Sequence, residues 1–152
     1  GLPEITHLQG YDELAERGLG SAANLTVAQI EKVLKEDPRF DDPPPDWKSN
    51  SRYCLPLQGA ESLIDAGKRV AGHIKNTLGS EDKLEQDTAQ IFVGHGAAMR
   101  HAAYHLGVLN FDEIKKFSMY HATPLVITVE NGLWRHVAGH WKVRRQNSRE
   151  LD

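Results

Sequence analysis

The sequence has few of the features that would assign it to a specialised class of protein. Cys54 is the only cysteine among 152 residues, which excludes a disulfide within the chain and a cysteine-based zinc cluster. It has no apolar run long enough to cross a membrane and no secretory signal pattern at its start. The formal net charge of −3 is too small to favour binding to nucleic acid or an acidic membrane surface. These absences predict a soluble, cytoplasmic protein that binds neither nucleic acid nor membranes.

The length of the chain fits one domain that can bury a core without disulfide bonds or bound metals. We therefore treat residues 1–152 as a single domain. Basic residues gather near its end, in KVRRQNSRE at 142–150, with no aromatic residues between them. This pattern predicts a flexible basic tail over residues 142–152 rather than a binding patch.

The first half of the chain contains one helix pattern and one long irregular segment. LTVAQIEKVLKE at 25–36 has apolar residues at helical spacing, and Thr26 with Gln29 forms a capping-box pattern. Residues 37–59 hold five of the seven prolines and show no periodicity. Long loops of this kind are often lids or binding loops, so we expect this segment to cover the site.

The second half alternates helix and strand patterns. A helix pattern begins near Ala60, and the short apolar run at 89–94 is typical of a buried parallel strand. A helix rich in small residues is predicted at 97–106, and a short helix capped by Asn110 follows it. Residues 124–139 predict two strands joined by an Asn-Gly turn. This order indicates an α/β fold with a mostly parallel sheet and an antiparallel edge.

The stretch IFVGHGAAMRHAAYH places His95 where a predicted strand runs directly into a helix. Ligands of open α/β folds bind at this edge of the sheet. The amides of Gly96 and Ala97 would be free donors in the first turn of the helix, which suits an anion. We favour a phosphate- or carboxylate-binding role for His95 over a structural one in which its ring bonds a backbone carbonyl.

A zinc site formed by His95, His101 and His105 is the alternative for this stretch. His101 and His105 are four residues apart and share a helix face, as a pair of zinc ligands would. No glutamate follows His101, however, and the segment offers no acidic ligand. We expect both side chains to be packed or partly exposed, with no metal bound.

Acidic and basic side chains are mixed with glycines in YDELAERGLG at 11–20. Taken alone, the Glu16-Arg17 pair would indicate only a solvated turn. Together with His95, the carboxyl group of Glu16 would place an acid–base pair around one anion.

Five segments taken together, in chain order, are similar to the motifs of one family. LAERGLG at 14–20 looks like an L-x-E-R-x-x-G motif, and LTVAQI at 25–30 looks like the helix that follows it. LQGAESLIDAGKRV at 57–70 is similar to a G-G-E-S-x-x-D helix start. VGHGAAMR at 93–100 and ATPLVITVENG at 122–132 are similar to a histidine motif and a closing hairpin. The chain thus resembles the histidine phosphatase superfamily, in its cofactor-dependent phosphoglycerate mutase-like branch.

The resemblance implies a three-layer α/β sandwich, of which the chain would form the C-terminal two-thirds. The family's first strand ends in R-H-G, whose histidine accepts the phosphoryl group, and this motif is not present here. RHA at 100–102 lies in a predicted helix and RHV at 135–137 in a predicted strand, so neither can present a nucleophile from a loop. We expect the fold to be incomplete at the N-terminus, which favours a homo-oligomer or strand exchange.

The resemblance also assigns roles to the matched residues. Glu16 would be the general acid and His95 the second histidine, which stabilises charge on the phosphoryl oxygens. Arg17, Gly96 and Ala97 would help to bind the phosphate. The reaction would pass through a phosphohistidine on a histidine outside this sequence, and no cofactor or metal is implied.

Three hypotheses remain open from the sequence. The first is a phosphatase or mutase acting on a phosphorylated small molecule or phosphoprotein. The second is an inactive module of the same fold that binds a phosphorylated ligand or a protein. The third, a zinc hydrolase, is the least favoured.

Overall fold

The computed structural model describes residues 8–79 and 89–144. Two single 3₁₀ turns, Asp12–Leu14 and Gly20–Ala22, precede the first α-helix. The helices in this part of the chain are α1 (Val27–Glu36), α2 (Leu63–Leu78), α3 (Gly96–His105) and α4 (Phe111–Lys116). The strands there are β1 (Phe117–Ser118), β2 (Val126–Glu130), β3 (Leu133–Ala138) and β4 (Lys142–Val143). None of these helices is long and apolar enough to cross a membrane.

Local capping signals fix the starts of three helices. Thr26 and Gln29 exchange both bonds of a capping box at the start of α1, as the sequence predicted. Asn110 does the same with Glu113 at the start of α4. Ser62 caps α2, so this helix begins two to three residues later than the pattern near Ala60 indicated.

The central contact of the fold is the packing of α2 against α3. Small residues line it, and a side-chain carbon at Gly67 would collide with the backbone and Cβ of His101 and with Ala102. Glycine is therefore required at this crossing. The core between the two helices contains the buried residues Ala66, Val70, Ala71, Ile74, Ala98, Ala102 and Leu106.

The proline-rich segment 37–59 packs into a second core. Trp47 and Leu55 are buried against Ile30 and Leu34 of α1. The segment is irregular, as predicted, but its aromatic and aliphatic residues give it a fixed place beside α1. Val33, one of the apolar residues at helical spacing in 25–36, is nevertheless 42 % exposed.

The strands form two antiparallel pairs, β1 with β4 and β2 with β3. Asn131 and Gly132 both have positive φ angles in the β2–β3 turn, which matches the type I′ turn that Asn-Gly favours. The fold is mixed α/β, but the mostly parallel sheet of a three-layer sandwich is not formed by the described residues. This part of the fold prediction is wrong.

The predicted strand at 89–94 is the reason for that difference. These residues form no strand, and Ile91 and Val93 are 74 % and 77 % exposed. A strand needs a neighbour to pair its backbone, and no described strand lies beside this segment. Residues 89–94 thus have the apolar pattern of a strand but are not paired with a strand in the part of the chain that the structure describes.

The first three residues of the expected flexible tail, 142–144, belong to the folded part of the chain. Lys142 and Val143 form β4, which pairs with Ser118 and Phe117, and Arg144 N–H donates to the carbonyl of Lys116 at 2.8 Å. Residues 145–152, the rest of that tail, lie outside the described residues.

Candidate active site

Two segments carry the candidate residues, and each lies against α2 or α3. We call residues 11–18 the Glu16 segment and residues 89–95 the His95 segment. Gly94 lies next to Leu14, where an added Cβ would come 3.2 Å from the Leu14 carbonyl oxygen. The ring of His73 on α2 lies between the two segments, 4.4 Å from the Tyr11 ring and 6.1 Å from the Phe92 ring.

The Glu16 segment is held by an arginine of α2. Arg69 Nη1 donates to the carbonyl oxygens of Asp12, Glu13 and Ala15 at 3.3, 2.8 and 3.2 Å. Its Nη2 donates to the carbonyl of Glu16 at 3.2 Å. One guanidinium group thus bonds the backbone of four residues in this segment.

His95 is the residue at which the His95 segment becomes helix α3. It occupies the N-cap position with an extended backbone, and its ring makes no capping bond. The first helical hydrogen bond runs from Met99 N–H to the His95 carbonyl at 2.9 Å. The preceding amides, including those of Gly96 and Ala97, have no acceptor within the helix. The imidazole and these donors therefore lie at the same end of α3.

The structure brings Glu16 and His95 together, although they are far apart in the sequence. Glu16 Oε2 lies 3.8 Å from His95 Nδ1, which makes an ion pair when the imidazole is protonated. The His95 side chain is 54 % exposed and that of Glu16 is 72 % exposed. A ligand can thus reach both groups at once from solvent. The common sheet edge expected for them is not formed by the described residues.

Arg17 is half buried and lies against the proline-rich segment. Its guanidinium carbon lies 5.7 Å from the centre of the Trp47 ring, in the proline-rich segment. Burial lowers the pKa of Arg17 from its ordinary value, while the nearby Glu16 carboxylate opposes the shift. Among the described residues, the Arg17 side chain makes no hydrogen bond and no ion pair, with His95 or with any other residue. Its donors are free to bind an anion.

Two of the three histidines of the zinc hypothesis, His101 and His105, make structural hydrogen bonds. His101 is fully buried, with Nδ1 2.7 Å from the Ala97 carbonyl and Nε2 2.9 Å from Ser51 Oγ. Since a carbonyl only accepts, Nδ1 carries the proton and Ser51 donates to Nε2. His105 Nε2 lies 2.8 Å from the Ile64 carbonyl. The part of the chain that the structure describes contains no group of three or more metal-ligand side chains.

Sequence reasoning missed Arg69 and its partner Glu61. Both lie in the 57–70 stretch that carried a motif, but nothing in that motif indicates a contact with residues more than forty positions away. Ser51, the hydrogen-bond partner of His101, was missed for the same reason. The one available signal was that Arg69 precedes Val70, an apolar residue that the structure shows to be buried.

A family model gives the first comparison with known proteins. The model described as histidine phosphatase superfamily (branch 1) matches residues 4–142. This range includes both the Glu16 and the His95 segments. No curated protein sequence matches the chain.

Two solved structures share the fold. "Mycobacterial hydrolase 2" matches with a TM-score of 0.55 and 22 % sequence identity, covering 89 % of this chain and 60 % of that one. "Mycobacterial hydrolase 1" matches with a TM-score of 0.54 and 22 % identity, covering 90 % of this chain and 63 % of that one. The chain therefore spans less than two thirds of the length of either structure.

Proposed function

Because this chain belongs to the histidine phosphatase superfamily, we propose that it carries the acid–base and phosphate-binding part of a phosphomonoesterase or phosphomutase site. The observation that carries the proposal is the 3.8 Å separation of Glu16 Oε2 and His95 Nδ1, with both side chains open to solvent. A carboxyl group and an imidazole at this distance can serve a single tetrahedral phosphate.

His95 is assigned the charge-stabilising role. During phosphoryl transfer, negative charge is spread over the equatorial oxygens of the phosphoryl group. The imidazole can donate a hydrogen bond to one of these oxygens, because its ring is not used to cap α3. The amides of Gly96 and Ala97, at the same helix end, add donors of the kind that bind phosphate.

Glu16 is assigned the proton transfers. In the first step a histidine outside this sequence attacks phosphorus, the bond to the ester oxygen breaks, and Glu16 gives its proton to that oxygen. In the second step the Glu16 carboxylate takes a proton from water as the water oxygen attacks the phosphohistidine, which releases phosphate. In a mutase, a second hydroxyl group replaces this water.

Arg17 is assigned to substrate binding. Its half-buried guanidinium has no acceptor among the described residues and lies over Trp47. A partly desolvated arginine binds a carboxylate or a phosphate strongly and with defined geometry. Because Arg17 lies against segment 37–59, we assign to that segment the contact with the organic group of the phosphate ester.

The test compares two substrates in the full-length protein. Glu16→Gln should lower turnover of an alkyl phosphate by about 100-fold, because its leaving oxygen needs a proton. The same variant should change turnover of 4-nitrophenyl phosphate by less than about tenfold, since that leaving group departs unprotonated. Glu13→Gln is the matched control, because Glu13 is an exposed glutamate of the same segment.

Equal losses on both substrates would contradict the role of Glu16. A wild-type protein that binds phosphate but forms no acid-labile phosphohistidine would contradict the enzyme and support the phosphate-binding module. Phosphohistidine is measured by mass spectrometry under alkaline conditions after mixing with substrate.

A further inference from the structure

We propose that Arg69 is a positioning residue that fixes the Glu16 carboxyl group beside His95, an inference that rests on the proposed function for its catalytic consequence. Arg69 belongs to α2 and does not touch the candidate phosphate site. It acts through the backbone of the Glu16 segment.

The side chain of Glu16 has little else to determine its direction. It is 72 % exposed, and its contact with His95 is long, at 3.8 Å. Its orientation therefore depends on where its own backbone is placed. Arg69 Nη2 donates to the Glu16 carbonyl at 3.2 Å, and Nη1 donates to three carbonyls of the preceding residues, the shortest being that of Glu13 at 2.8 Å.

Glu61 holds the arginine in place and also bonds the segment directly. Glu61 Oε1 accepts from Arg69 Nη2 at 2.8 Å, and Oε2 accepts from Nε at 3.4 Å. The same Oε1 accepts from the Gly18 amide at 3.3 Å, while the Glu61 amide donates to the Gly18 carbonyl at 3.0 Å. Residues on both sides of Glu16 are thus bonded to one ion pair.

This ion pair differs from an ordinary surface pair. In the Arg39–Asp37 pair the arginine side chain is 79 % exposed, and its partner lies two residues away. The Arg69 and Glu61 side chains are 26 % and 24 % exposed, and they bond residues more than forty positions distant. Shielding from water strengthens such bonds, and five donors in a planar fork allow one arginine to bond several carbonyls together.

The catalytic consequence follows from the geometry of proton transfer. A displacement of about 1 Å can cost a reaction about 100-fold. Without Arg69 the Glu16 backbone loses its hydrogen-bond donor, and the carboxyl group no longer stays next to His95. The loss should appear on substrates whose leaving group needs the Glu16 proton and should be small on the others.

The test uses Arg69→Gln in the full-length protein, with Lys68→Gln as the matched control. Lys68 is the neighbouring cation on α2, and it is exposed. Arg69→Gln should lower turnover of an alkyl phosphate about 10- to 100-fold and that of 4-nitrophenyl phosphate less than about threefold. Arg69→Lys should recover part of the loss, because an ammonium group can reach Glu61 but cannot bond all four carbonyls.

A second measurement does not depend on activity. Exchange of the Gly18 amide, followed by NMR, should be faster in Arg69→Gln than in Lys68→Gln, because Glu61 loses its anchor. Unchanged Gly18 exchange, or equal losses on both substrates, would overturn the proposal. An inactive wild-type protein would instead contradict the proposed function, and Gly18 exchange would then decide alone whether Arg69 places the segment.

Discussion

The Glu16 and His95 segments meet in one site but are held in different ways. The Glu16 segment packs Leu14 against the core between α2 and α3, and its backbone is bonded by Arg69 and Glu61. The His95 segment packs Phe92 against the same core but leaves Ile91 and Val93 strongly exposed, and it leads directly into α3. Both segments thus have an apolar contact with the core, to which the Glu16 segment adds a polar network and the His95 segment adds the packing of α3.

That packing has two components, and both are remote from His95. Gly67 lets α2 approach the backbone of α3 at His101 and Ala102. His101 then ties α3 to the proline-rich segment through Ser51. The comparison therefore predicts that changes in α3 packing disturb His95, whereas changes at Arg69 disturb Glu16.

The largest expected effect comes from removing the His95 imidazole. His95→Ala should lower turnover by about 100-fold or more on alkyl and aryl phosphates alike, because charge develops on the phosphoryl oxygens of both. Steady-state kinetics on the same two substrates measures this. His140→Ala, at another exposed histidine, should have no such effect. A loss confined to alkyl phosphates would mean that His95 acts in proton transfer, the role assigned to Glu16. The two segments would then not have separate chemical roles.

Low pH should lower the stability of the fold through His101 of α3, the helix that follows His95. Burial lowers the pKa of His101 from 6.5 to about 4, an effect that its hydrogen bond to Ala97 only partly offsets. Because the folded pKa lies below the unfolded one, the unfolded state binds more protons between these values. The stability that the neutral ring contributes is complete above pH 6.5 and is lost as pH falls towards 4, by about 3 kcal/mol in all.

Urea unfolding at several pH values measures this dependence. In His101→Gln the slope of unfolding free energy against pH between about 4 and 6.5 should be shallower than in the wild-type protein, by up to about 1.4 kcal/mol per pH unit. An identical slope in the two proteins would show that His101 is not the group responsible.

A smaller effect should separate two glycines of α2. A methyl group at Gly67 would strike His101 and Ala102, so Gly67→Ala should destabilise the fold by about 1–3 kcal/mol. Gly72→Ala has open space around it and should stabilise the helix by up to about 1 kcal/mol. Thermal unfolding of the two variants compares them. Equal effects would mean that the α2–α3 crossing is looser than the structure shows.

The sequence predicted the features whose causes are local. The capping boxes at Thr26 and Asn110 and the turn at Asn131-Gly132 each need only a few neighbouring residues, and all three are confirmed. The predicted strand at 89–94 was wrong in the described residues, because a strand depends on a partner that a local pattern cannot supply.

The site shows the same division. The strand-to-helix pattern at His95 and the charged, glycine-containing stretch around Glu16 drew attention to both residues, the resemblance assigned their roles, and the structure places them 3.8 Å apart. Arg69 remained unnoticed, because its bonds reach the backbone of residues 53 to 57 positions away and backbone acceptors have no sequence signature. Arg17 was noticed, but its packing against Trp47 was not predicted, since that contact joins two segments with no shared pattern.

The most direct test of the account is to locate a phosphate analogue in the full-length protein. Tungstate has the shape and charge of phosphate, and its anomalous scattering identifies it in a crystal. We predict a single tungstate within hydrogen-bonding distance of both the His95 imidazole and the Glu16 carboxyl group, with Arg69 still bonded to the Glu16 carbonyl. Tungstate bound away from His95, or a Glu16 side chain turned away from it, would contradict the claim that the two segments form one phosphate site.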